Sequence, residues 1–170
     1  MFGPAGLTLV LPSGTLDGGE VRCERPRGDG RFRARLQASR APGSLSAFFL
    51  YLHDFDTDSS DELDVELPAD EPHRALLTVW RRGGREPADQ RIVELGFDPA
   101  ERLHDYEIER GPGGRVRFAI DGDTAFTSDA GPAGGLHPMF NAWYPDWLPG
   151  DRGSPGGFMR VVLYEFVPLG

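Results

Sequence analysis

Lysine is absent from this 170-residue chain, and all 18 cationic residues are arginine. That bias reads as codon usage rather than chemistry. Against 27 acidic residues they leave a net charge of -9, which repels phosphate backbones and anionic lipid, so neither nucleic acid nor a membrane is an expected partner. The lone Cys23 excludes an internal disulfide and a thiolate metal cluster. No stretch approaches the roughly 20 apolar residues of a membrane helix. The opening MFGPAGLTLVLPSG lacks a basic n-region and a small-residue cleavage site, so no secretion leader is expected in it. Helical periodicity is also missing: no window of a dozen residues carries an amphipathic stripe, and Pro99 to Arg102 could form one turn at most.

What is present is period-two alternation, punctuated by 23 glycines, 15 prolines and many Asp and Ser. Candidate strands are Arg31 to Leu36, Ser46 to Leu52, Glu62 to Leu67, Ala75 to Trp80, Leu103 to Glu109, Arg115 to Ile120, Asp123 to Thr127 and Phe158 to Val167. Asp121-Gly122 is a strong two-residue hairpin signal. Strands recurring at this spacing predict an all-β fold, a two-sheet antiparallel β-sandwich or jelly roll. No internal repeat is visible and the Gly/Pro-rich stretches are too short for linkers, so residues 1–170 are expected to be one domain.

The most informative stretch is Asp61-Glu62-Leu63-Asp64-Val65-Glu66-Leu67. On a strand, Glu62, Asp64 and Glu66 share one face, and Leu63, Val65 and Leu67 the other. Like charges side by side destabilise a sheet, and nothing in a sandwich requires them. Glycosidic bond cleavage does use such a cluster, because one carboxylate must be ionised while another holds a proton. Crowded negative charge raises at least one pKa and produces that split. The geometry is demanding, since positions i and i+4 lie about 13 Å apart on an ideal strand while retaining enzymes hold their carboxyls about 5–5.5 Å apart. A solvated acidic strand is the plain alternative.

Glu-Leu-Asp-Val-Glu at 62–66 resembles the Glu–aliphatic–Asp–apolar–Glu signature of glycoside hydrolase family 16, the β-jelly-roll endo-glycanases. Gly30 to Leu36, Pro42 to Tyr51, Leu103 to Glu109 with Phe118 to Gly122, and Met139 to Leu148 are similar to further blocks of that family, in the same order. The resemblance implies a concanavalin A-like sandwich with a concave glycan cleft. It implies Glu62 as nucleophile, Asp64 as assisting acid and Glu66 as general acid/base of a retaining double displacement. A single residue between Asp64 and Glu66 resembles the unbulged strand of lichenases and xyloglucan-active members, which favours a β-1,4-containing or mixed-linkage glucan. Asn141 and Trp143 then belong near the cleavage point, and Arg35, Phe49 and Tyr51 at cleft positions on adjacent strands. Several residues depart from the pattern. Arg33 replaces a Glu, Ser60 a stacking Trp, Leu76 and Thr78 polar cleft residues, and Arg110 a Trp, while the usual first strand is short or missing.

Flat aromatic rings suit the apolar face of a sugar. Trp80, Trp143 and Trp147 are the only tryptophans, and the last two flank a stretch rich in Pro, Gly and Asp that reads as a cleft loop rather than core. The four histidines show no ligand spacing, so no metal is assigned, and His104 reads as a structural hydrogen-bonding residue. Asp54-Phe55-Asp56-Thr57-Asp58 has the 1, 3, 5 spacing of an EF-hand loop. Ser59 at position 6, Val65 at position 12 and the lack of flanking helices reject an EF-hand, leaving room only for a looser structural Ca²⁺ site. No GxSxG turn supports a serine nucleophile, and Gly113-Gly114 opens no phosphate-binding helix.

The expected activity is retaining endo-hydrolysis of a β-linked polysaccharide, with no cofactor required and the chain acting as a monomer. The alternatives are a non-catalytic glycan-binding jelly roll, or a transglycosylase using the same residues. A polymeric substrate favours an extracellular setting.

Overall fold

The computed structural model describes residues 6–169. Among them, twelve strands are assigned: β1 (Leu7–Leu11), β2 (Gly19–Arg22), β3 (Gly30–Gln37), β4 (Leu45–Asp54), β5 (Ser59–Pro68), β6 (Arg74–Trp80), β7 (Asp89–Glu94), β8 (His104–Arg110), β9 (Val116–Ile120), β10 (Asp123–Ser128), β11 (His137–Trp143) and β12 (Gly157–Pro168). They form two six-stranded sheets, ordered β1-β12-β3-β8-β9-β10 and β2-β11-β4-β5-β6-β7. Every pairing is antiparallel.

Alternation explains how the sheets close on each other. In β3, Phe32, Ala34 and Leu36 are fully buried, while the intervening arginines face outward. In β5, Leu63, Val65 and Leu67 are buried in the same core, against Leu77 and Val79 of β6. Phe48 of β4 stacks on Phe140 of β11 with ring centroids 5.1 Å apart, filling the centre of the sandwich. Asp121 and Gly122 both have positive φ, 50° and 91°, as a two-residue turn between β9 and β10 requires. His104 is buried and stacked on Phe97 at 3.5 Å. Its Nδ1 donates to Asp121 at 2.6 Å while Nε2 accepts from Arg102, the structural role expected of it.

The first strand is short but present: Leu7–Leu11 pairs with β12 and buries Leu9 and Leu11. Three further elements were not foreseen from the sequence. β2 escaped notice because its four residues are half-exposed to exposed. β7 escaped because it is a sheet edge whose sequence, Asp-Gln-Arg-Ile-Val-Glu, is mostly polar. The segment 137–143, with its Pro and Trp, is a strand between β2 and β4 that no candidate strand covered.

Arg110 occupies the place where the resemblance led us to expect Trp. It is buried, and its guanidinium donates to the carbonyls of Arg27, Pro132 and Gly134 at 3.2, 2.9 and 2.8 Å. One side chain thereby ties the end of β8 to two loops. Arg110→Met fills similar space but leaves these carbonyls without a partner, each costing about 1–3 kcal/mol where water cannot replace it. We expect a loss of roughly 2–4 kcal/mol in urea unfolding; an unchanged midpoint would show that the three contacts contribute nothing net.

Candidate active site

β5 pairs with β4 in unbroken register from Leu45↔Pro68 to Asp54↔Ser59, and with β6 from Glu62↔Trp80 to Glu66↔Leu76. No bulge interrupts it, so the three acids stay on one face, the face turned away from the core. Registers across the sheet place three rows of side chains there. One runs Glu20, Asn141, Ala47, Glu66, Leu76, Ile92. The next runs Arg22, Met139, Phe49, Asp64, Thr78, Gln90. The third runs His137, Tyr51, Glu62, Trp80.

A cleft of about 430 Å³ opens over these rows, lined by Glu62, Asp64, Glu66, Phe49, Trp80, Asn141, Trp143 and Trp147 together with Leu45, Ala47, Leu76 and Gln90. Trp143 and Trp147 are 41% and 55% exposed and stand at its wall. Tyr51 lies beside it, packed on Ala47, Phe49 and Met139. The amide oxygen Oδ1 of Asn141 is buried without a hydrogen-bond partner, an unsatisfied acceptor beside the cleft. Beyond Trp143 a second hollow continues over Leu16, Gly18, Gly19 and Glu20. Gly18 is required there, because a Cβ would sit 2.4 Å from the carbonyl oxygen of Ala142 and 3.0 Å from the Cβ of Trp143.

Arg35 is a correction. It was expected in the cleft on a strand adjacent to Phe49 and Tyr51, but β3 belongs to the other sheet, between β12 and β8. Phe32, Ala34 and Leu36 take the core face, so Arg35 points to the outer surface, where it and Arg33 both grip Asp105. Glu20 was missed. Its strand is only four residues long, and the only signal was the short alternation Gly-Glu-Val-Arg.

The protons in the cluster are divided unequally. Burial pushes Asp64 well above the usual carboxylate range, and the charges of Glu62 and Glu66 push it further. Burial also raises Glu62, and the nearby charge of Glu20 adds to this, but its hydrogen bond with Asp64 works in the opposite direction. That bond lowers Glu62 and raises Asp64, the pattern of a neutral Asp64 donating to an ionised Glu62. The side chain of Trp80 also hydrogen-bonds Asp64; the indole has only a donor to offer. Glu66 is raised to about 7 by burial, with the charge of Glu62 second. Its strand neighbours on this face are Ala47 and Leu76, which offer it no hydrogen bond. The cluster therefore pairs Asp64, which keeps its proton and donates it to Glu62, with a Glu66 that has no such partner and is raised to about 7.

The acidic loop after β4 spends its groups on itself. Asp54 accepts from the backbone NH of Asp56 at 2.9 Å and from the Thr57 hydroxyl at 2.8 Å. Among the described residues, no group of three or more His, Cys, Asp or Glu could hold a metal ion.

Comparison with known proteins gives a consistent relationship. The family model for glycosyl hydrolases family 16 matches residues 3–144. A beta-glucanase of Bacillus licheniformis is 28% identical over 155 residues, covering 86% of this chain and 62% of its own length. A beta-glucanase of Bacillus subtilis is 27% identical over 128 residues, covering 75% of this chain and 52% of its own. The chain thus spans little more than half the length of these relatives. In fold, it superimposes with a TM-score of 0.84 on a β-1,3-1,4-glucanase (lichenase) from a mouse hindgut metagenome, at 21% identity, covering 95% of this chain and 79% of that one.

The raised pKa of Glu66 carries a stability consequence. Between its ordinary value of 4.5 and about 7, the folded protein binds a proton at Glu66 that the unfolded chain has released. Its contribution is therefore complete at low pH and is lost as pH rises through about 7. Glu66→Gln removes that titration. Between pH 5 and pH 8 the variant should lose less unfolding free energy than the native protein, by on the order of 1–3 kcal/mol. Urea melts at the two pH values measure this, and parallel losses would show that Glu66 titrates normally.

Proposed function

Because this chain belongs to glycosyl hydrolases family 16, we propose that it is a retaining endo-hydrolase of a β-linked glucan. The observation that carries this reading is the division of protons along β5: Glu66 raised to about 7, and Glu62 accepting a hydrogen bond from Asp64. The names of the beta-glucanase relatives support a β-glucan as the substrate, and the unbulged register of β5 supports a mixed-linkage or β-1,4-containing one.

In the first step, ionised Glu62 attacks the anomeric carbon. As the glycosidic bond breaks, Glu66 delivers its proton to the departing oxygen. Asp64 holds Glu62 in place through their hydrogen bond and can keep or release its proton as charge on Glu62 is consumed. In the second step, Glu66, now ionised, takes a proton from water, and the resulting hydroxide displaces Glu62 from the sugar. The flat rings of Trp143 and Trp147 at the wall would stack on sugar faces. Asn141, which lines the cleft, would hydrogen-bond a hydroxyl through its side-chain amide.

Glu62→Gln and Glu66→Gln are each expected to lower reducing-end release from mixed-linkage glucan by at least about a thousandfold while leaving the fold intact. Full activity in either variant would remove the mechanism. Because Glu66 must be protonated, kcat of the native enzyme should fall as pH rises past about 7. Proton NMR of the first-formed anomer separates retention from inversion. Product sizing across mixed-linkage glucan, xyloglucan, laminarin and marine galactans identifies the linkage, and products longer than the substrate would signal transglycosylation instead.

A further inference from the structure

On the flank of the cleft formed by β6 and β7, the lining residues are Leu76, Trp80 and Gln90. Leu76 offers only hydrocarbon. The indole of Trp80 has a single donor, and Asp64 takes it. Thr78 lies between these two on β6 but is fully buried. Gln90 alone has hydrogen-bonding groups to spare. It stands on β7 in register with Thr78 and Asp64, two strands and about 10 Å from β5. Its Nε2 donates to the Thr78 hydroxyl at 3.1 Å, which draws the amide back over β6 and fixes its orientation. One N–H is used in that bond, and the carbonyl oxygen and the second N–H remain.

Gln90 and Leu76 together match the polarity of a sugar unit. Leu76 and Thr78 are two residues apart on one face of β6, about 7 Å along the strand. The apolar face of a ring can therefore rest on Leu76 while its hydroxyls meet the amide held at Thr78. One acceptor beside one donor suits two neighbouring hydroxyls, one donating and the other accepting. The opposite flank is longer. It holds Asn141, Trp143 and Trp147, and continues into the hollow over Leu16 and Glu20. In a double displacement one half-chain stays on the enzyme between the two steps while the other leaves. The longer flank suits the half that stays, and the short flank the half that goes.

Resting on the hydrolase reading above, we propose that Gln90 hydrogen-bonds a sugar on the departing side of the cleaved bond, with Leu76 as the floor beneath that sugar. Gln90 is then a specificity-determining residue. It favours a leaving group that is itself a sugar over one without hydroxyls, and with it cleavage inside a glucan chain rather than release of a simple alcohol.

Two substrates with the same glycone isolate this contact: one β-glucan trisaccharide carrying either cellobiose or 4-nitrophenol as its leaving group. The intrinsic difference between the leaving groups cancels when each substrate is compared between native enzyme and variant. Gln90→Met keeps the length of the side chain and removes its amide. The ratio of kcat/KM for the cellobiose substrate to that for the 4-nitrophenyl substrate should fall about tenfold in this variant, the loss of one or two neutral hydrogen bonds. A fall smaller than threefold overturns the proposal. That includes the case in which both values drop together, as they would if Gln90 served the retained half-chain or only supported Thr78. If native enzyme cleaves neither substrate, the hydrolase reading fails separately and binding decides the role of Gln90. The pentasaccharide should then bind at least threefold tighter than the trisaccharide in tryptophan fluorescence, and Gln90→Met should abolish that difference. No difference in the native protein, or one that survives the substitution, overturns the contact.

Discussion

Three acidic side chains confined to one face of an unbulged strand constrain the rest of this molecule. With β5 in continuous register between β4 and β6, Glu62, Asp64 and Glu66 have no freedom to turn away from one another. Burial makes their common ionisation unfavourable, so protons remain on some of them. Which residue keeps one is decided by its neighbours. Asp64 is the most deeply buried and has a partner on its own strand to donate to; Glu66 lies between Ala47 and Leu76 and has only burial and the field of Glu62. The opposite face of the same strand makes this tolerable, because Leu63, Val65 and Leu67 are locked into the core.

The parts of this arrangement that were legible in the sequence are those set by local rules. Alternation in 61–67 placed the acids on one face without knowledge of any neighbour, and Asp121-Gly122 specified its turn through backbone conformation alone. The parts that were not legible depend on which strands become neighbours. β7 could not be recognised because an edge strand facing water on one side has little apolar pattern to show. The strand 137–143 was obscured by its Pro and Trp, and only its place between β2 and β4 makes it a strand. Arg35 shows the limit most plainly. Its alternation was read correctly, but alternation fixes which residues share a face and not which sheet the strand joins. Glu20 is the converse case: a residue with no local distinction, made relevant because β2 pairs with β11 and brings it within range of Glu62.

The two outward faces of the sandwich follow opposite electrostatic rules. On the outer sheet, charges are compensated by strand: arginines of β3 meet Asp105 and Glu107 of β8, and Arg117 of β9 meets Glu107 and Glu109. Exposed pairs of this kind contribute little each, but they give Asp105, Glu107 and Glu109 each a cation for a neighbour. On the cleft sheet no cation among the described residues forms an ion pair with the three acids: Arg22 and Arg74 stand on the face, yet Arg74 is already engaged by Glu71 and Glu94. A sequence that supplies compensating arginines on one sheet and withholds them from the acid row on the other is not simply acidic throughout.

That contrast bears on the proposed activity, which requires the cleft to cut a glycan and not only to hold one. A binding surface needs platforms and hydrogen-bond partners, which Trp143, Trp147 and Asn141 provide. It gains nothing from a glutamate raised toward neutrality, since a carboxylate in its ordinary range accepts sugar hydroxyls at least equally well. The raised Glu66 stabilises the fold only while it keeps its proton, and near neutral pH that contribution is already being lost. A stability cost concentrated on one side chain, beside an ionised carboxylate that a neutral acid holds by a hydrogen bond, is what proton transfer to a leaving oxygen requires and what adhesion does not.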